Sequence, residues 1–199
     1  MRPETIEQES MRIIESMIGG RYSGAEENLP LIKRVIHATA DFDFLDSLYF
    51  SDNAVKTARE ILKNNAVIVT DTLMLAAGIS KKYKLKIICN VADENIKNEA
   101  ERRGVTRSIV NIEHAVKNFP NAFYAIGNAP TALIRLCELI KNGEAEPGFV
   151  IGVPVGFVNV IEAKQMLETV EVPKIIAHGR KGGTTVACAI INALLYGIN

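Results

Sequence analysis

The chain is 199 residues long and 48% hydrophobic, enough for one substantial core, and no charge block divides it, so a single domain spanning 1–199 is expected. Lysine plus arginine and aspartate plus glutamate number 23 each, so no overall field recruits nucleic acid or an anionic membrane. Cys89, Cys137 and Cys188 are isolated, no apolar run reaches the ~18 residues that span a bilayer, and MRPETIEQES is acidic where a secretory signal would be apolar; these features point to a cytoplasmic protein with free thiols.

Residues 1–64 read as mainly helical. Pro3 suits a first helical turn, Glu4, Glu7 and Glu9 favour its amino end, and Ile6, Ser10, Ile13, Ile14 and Met17 share a face until Gly19-Gly20. Ser10 is the polar member of that stripe, open to bonding back onto its own helix or to touching a ligand. Ser23 to Glu26 fits a capping box, although Pro30 allows a start at Asn28 instead. Leu31 to Thr39 is the regular part of this second helix, anchored by Leu31, Val35 and Ile36, and Arg34 and His37 lie side by side on it. His37, with a cation one turn before it and Asp41 four residues after, suits either a tuned acid or base or a satisfied structural histidine. Ala40 to Phe50 alternates Phe42 and Phe44 against Asp41 and Asp43, as a half-buried extended segment would. Ser51 or Asp52 is placed to cap a third helix carrying Val55, Ala58, Ile61 and Leu62.

From residue 65 the pattern becomes strand, turn, helix, and it recurs. The strands are Ala66 to Val69, Leu85 to Val91, Ala122 to Ile126, Phe149 to Val153 and Lys174 to Ala177, with an extra helix, Thr106 to Asn118, between the second and third. The expected fold is α/β and three-layered: a mostly parallel five-stranded sheet with helices on both faces, preceded by N-terminal helices. The fourth unit, GFVIGVPVGFVNVIEAKQML, organises the rest. Its β-branched run is a buried strand, and Pro154-Val155-Gly156 turns it into a helix whose amino end suits an anion.

In open α/β sheets ligands bind beyond the carboxyl ends of the strands, so the strand-to-helix turns should share one rim. These turns are Thr70-Asp71-Thr72, Asn90-Val91-Ala92, Gly127 to Thr131, Pro154 to Phe157 and His178 to Thr184, and they are rich in glycine, small polar residues and cations. Their backbone amides, with Arg180 and Lys181, are expected to receive carboxylates or phosphates. Neither GxGxxG nor GxxxxGK[ST] is present, which disfavours nucleotides; no nucleophile elbow is present; and His37, Asp41 and Asp43 lack a further ligand at metal-site spacing. His114 reads as solvated surface, His178 as a rim residue, and Glu162 and Lys164 as a solvated helix face.

Taken together, Glu9-Ser10, RVIHA at 34–38, Asp71 with Met74 and Gly78, GVTRS at 104–108, AIGNAPTAL at 125–133, GVPVGFVNVIEAK at 152–164 and GRKGGT at 179–184 resemble the precorrin-8X methylmutases, or cobalt-precorrin-8 methylmutases, of cobalamin biosynthesis. The matching pieces run in order through nearly the whole chain. The resemblance implies an isomerase that moves a methyl group from C-11 to C-12 of a contracted tetrapyrrole, as a homodimer and without redox change or an added cofactor. It makes His37 the proton donor and acceptor, and Ser10 and Arg34 substrate contacts. Thr39, Asp71, Arg107, Asn128, Gly156 and Arg180 complete the candidate substrate set. Ala40 stands where relatives often carry glycine. Two other readings are a non-catalytic corrinoid carrier and a nucleotide-binding α/β enzyme.

Overall fold

The computed structural model describes residues 3–198; the side chains of Pro3 and Glu4, and with them the support expected from Glu4, lie outside the described residues. In chain order the elements are α1 (Pro3–Ile18), α2 (Leu29–Thr39), α3 (Phe44–Ser47), β1 (Leu48–Phe50), α4 (Ala54–Lys63), β2 (Ile68–Thr70) and α5 (Leu73–Gly78). They continue with β3 (Ile87–Ile88), α6 (Glu94–Arg103), α7 (Arg107–Asn118), β4 (Phe123–Ile126), α8 (Pro130–Lys141), β5 (Phe149–Gly152), α9 (Val160–Glu168), β6 (Lys174–Ala177) and α10 (Thr184–Tyr196).

One six-stranded sheet runs β1-β6-β5-β4-β2-β3, with β1 antiparallel to β6 and every other pair parallel. The five expected strands are present, and the organising strand β5 is central. The sixth strand corrects the expected count. Phe42 and Phe44 do not alternate in a strand: Phe44 is buried in the short helix α3, and only Leu48 to Phe50 extends, along the outer edge of β6.

Alternation on the inner strands explains their unbroken apolar runs. Phe123, Ala125, Phe149, Ile151, Ile175 and Ala177 face the core shared with α2, α4, α5 and α10; Tyr124, Ile126, Val150 and Ile176 face the core shared with α7, α8 and α9. Phe123 and Phe149 are cross-strand neighbours and stack at 5.0 Å between ring centres.

Helix starts follow local chemistry where a side chain can reach. Thr72, Asp93 and Thr106 accept from the amides of Leu75, Asn95 and Ile109. Two expected caps do not form. The capping box at Ser23 gives way to a 3-10 turn over Glu26–Asn28, with α2 starting behind Pro30's constraint, and α4 follows Asn53 in a left-handed conformation rather than a Ser51 or Asp52 cap. No described helix is long and apolar enough to cross a membrane.

Candidate active site

Strand order reverses between β2 and β4, so their following turns diverge and leave a crevice. Asp71, at the end of β2, closes the crevice at its base. It is fully buried, and its carboxylate accepts from the amides of Gly127 (3.1 Å), Asn128 (2.7 Å) and Ala129 (2.7 Å). Burial pushes its carboxyl above the usual range, against the pull of those amides. The donors expected to receive a ligand's carboxylate at this turn are therefore already occupied from within. Buried Asn111, which the sequence did not single out, adds a second tie: it donates to the Thr70 carbonyl and accepts from the Asn90 amide.

Above Asp71 lies a cavity of about 450 Å³ lined by Thr72, Leu73, Val91, Ala92, Thr106, Arg107, Ser108 and Asn128. It brings together three candidates from separate units: Asp71 below, with Arg107 and Asn128 exposed at its mouth.

The remaining rim turns pack edge to edge. A Cβ on Gly127 would lie 3.0 Å from the Thr184 Cα, so only glycine lets the β4 turn meet the start of α10. At Gly182, with φ of 153°, a Cβ would come within 2.3 Å of the Val153 carbonyl. Here again the amides serve the protein: Gly156 donates to the Arg180 carbonyl at 3.2 Å and Gly183 to that of Val153 at 2.8 Å. Arg180 is exposed with no ion pair among the described residues. Phe157 and Val158 on the turn after β5, and Met74 in α5, are 85%, 76% and 72% exposed.

Lys164 is the residue on which the sequence misled. It is buried at 2% exposure, not on a solvated face, and its Nζ donates to the carbonyls of Gly179 and Lys181, each at 2.8 Å. Burial lowers its ammonium to about 8. The period of α9 does mark this residue, since Val160, Ala163, Lys164 and Leu167 form its buried stripe; its charge alone suggested a solvated face.

His37 closes the last full turn of α2 with its ring exposed. The other two histidines are held by carboxylates, His114 by Glu99 at 2.9 Å and His178 by Glu168 at 3.0 Å; His37 has no such partner among the described residues. The expected Asp41 neighbour is committed elsewhere: Asp41 and Asp43 both take the Lys181 ammonium at 2.6 Å, which removes the carboxylates from the metal reading and ties the chain after His37 to the β6 turn. Among the described residues there is no cluster of three metal-ligating side chains. Arg34 pairs with Glu7 and lies 5.3 Å from the Tyr196 ring centre, beside a cavity of about 460 Å³ between α1 and α2. Ser10 bonds back to the Ile6 carbonyl, and Thr39 to that of Val35. The candidates thus fall into two groups, Ser10, Arg34, His37 and Thr39 on the helical side and the rest on the rim, joined through Lys181.

The family model for precorrin-8X methylmutase matches residues 5–197. A cobalt-precorrin-8 methylmutase from Salmonella typhimurium is 41% identical over 204 residues, covering 98% of this chain and 95% of that protein. One from Priestia megaterium is 38% identical over 198 residues, covering 98% and 88%. The crystal structure of a precorrin-8x methyl mutase from Thermus thermophilus superposes with a TM-score of 0.88 at 35% identity, covering 97% of this chain and 95% of that one.

Proposed function

The chain belongs to the precorrin-8X methylmutase family, and from that premise we propose that it moves a methyl group from C-11 to C-12 of precorrin-8 or its cobalt-loaded form, with His37 handling the proton. The whole chain acts as one domain, in the cytoplasm and as a homodimer. Ile6, Ile13 and Met17, exposed along one face of α1, support a partner surface.

A concerted methyl shift needs no nucleophile. It needs the reactive ring tautomer held in place and a proton delivered to or taken from a ring atom. One imidazole is sufficient, and His37 is the histidine without a carboxylate partner among the described residues, which is the observation that carries the reading. Arg107, Arg180 and Asn128 at the rim suit the substrate's peripheral carboxylates, and Arg34 joins them by exchanging Glu7 for a substrate carboxylate. Ser10 and Thr39 are assigned to the substrate on the helical side, each exchanging its bond to its own helix for one to the ligand. Met74, Phe157 and Val158 suit the apolar faces of a macrocycle.

The test is to mix purified protein with metal-free and with cobalt-loaded precorrin-8 and follow the visible spectrum. Conversion of either chromophore to a corrin is expected, and the faster one assigns the route. A carrier would bind and leave the ring unrearranged; a nucleotide enzyme would instead give heat on titration with adenine nucleotides.

A further inference from the structure

We propose that Lys164 is a positioning residue for this reaction: from beneath the rim it clamps the Gly179–Lys181 turn by its carbonyls and so fixes Arg180 for the substrate's carboxylates. The inference rests on the proposed function for its kinetic consequence, though not for the clamp itself.

Burying an ammonium is costly, and a methionine would fill the same space without that cost. Stability therefore does not explain a lysine here. Geometry does, because two carbonyls of one exposed turn converge on one Nζ from residues 179 and 181, on either side of Arg180. The other buried lysine is a contrast: Lys174 donates to the carbonyls of Leu167, Glu168 and Val170 at the end of α9, remote from the rim turns, as a helix C-cap. Lys164 holds no helix end. What it holds is a loop whose outward groups are Arg180 and Lys181, the latter reaching Asp41 and Asp43 behind His37.

The variant K164M should fold, since methionine fills the space of the lysine stem and the two carbonyls it releases belong to a turn at the surface. Far-ultraviolet circular dichroism and cooperative unfolding like the parent's check this. Trypsin should then cut after Arg180 or Lys181 about tenfold faster than in the parent, with other sites unchanged, as loss of a charge-assisted tether implies. KM should rise about tenfold with kcat within twofold, and K164M should add nothing to KM in an R180A background, the signature of action through Arg180. Unchanged cleavage at the turn overturns the clamp, and additive effects on KM overturn its action through Arg180. If the parent protein converts no precorrin, the proposed function falls while the tryptic result still judges the clamp.

Discussion

Asp71 and the amides of Gly127, Asn128 and Ala129 decide what can bind an anion at this rim. A carboxylate built into the protein occupies the nest that a sequence reading offers to a ligand, which is why the proposed substrate contacts are the side chains of Arg107, Asn128 and Arg180. Asp71→Asn places an amide NH₂ against backbone N–H donors and leaves at least one of them unsatisfied. It should destabilise the protein by about 2–3 kcal/mol in urea unfolding, and parent-like stability would show that the three bonds contribute little. Lys164 gives a pH dependence of defined sign. Its ammonium titrates near 8 in the fold against 10.5 ordinarily. Between those values the unfolded chain holds a proton that the native state has released, so this group's contribution to stability rises from about pH 8 to 10.5. Relative to K164M, the parent should therefore gain stability across that range; a flat difference would contradict the burial argument.

At the scale of elements, α2 is the one whose end matters most, since His37 rides its last turn. The helix stops at Ala40, left-handed with φ of 55° and its amide on the Ile36 carbonyl at 2.7 Å. A Cβ there is strained, and glycine removes the strain, so Ala40→Gly should stabilise the protein by about 0.5–1 kcal/mol and raise Tm by roughly 2–3 °C in a calorimetric scan. A lower Tm would mean that chain stiffness after His37 outweighs the strain. The inner strands were legible because burial on both faces writes continuous apolar runs, as in Phe149 to Gly152. β1 was not, because three residues on a sheet edge behind a helical turn carry no period of their own. The extra helix, expected over Thr106 to Asn118 and found over Arg107–Asn118, was readable from its own pattern. Asn111 was not, and Lys164 was read outward from its charge although it lies on the apolar period of α9; the turns that these polar groups serve appear only in space.

Over the whole molecule, the exposed apolar side chains among the described residues include Ile6, Ile13 and Met17 along one face of α1, and Met74, Phe157 and Val158 on α5 and the turn after β5. If α1 carries the homodimer contact, Ile13→Glu with Met17→Glu should shift a dimeric parent to monomer in sedimentation velocity, and a parent that sediments as monomer would contradict it. The proposed function makes one group central, the His37 imidazole at the end of α2. Its direct test is a single stopped-flow series with His37→Ala and the substrate form that the parent converts. The account predicts a binding phase of near-parent amplitude followed by chromophore rearrangement slowed ~10² or more, the scale of a lost general acid. Rearrangement at the parent's rate would contradict it.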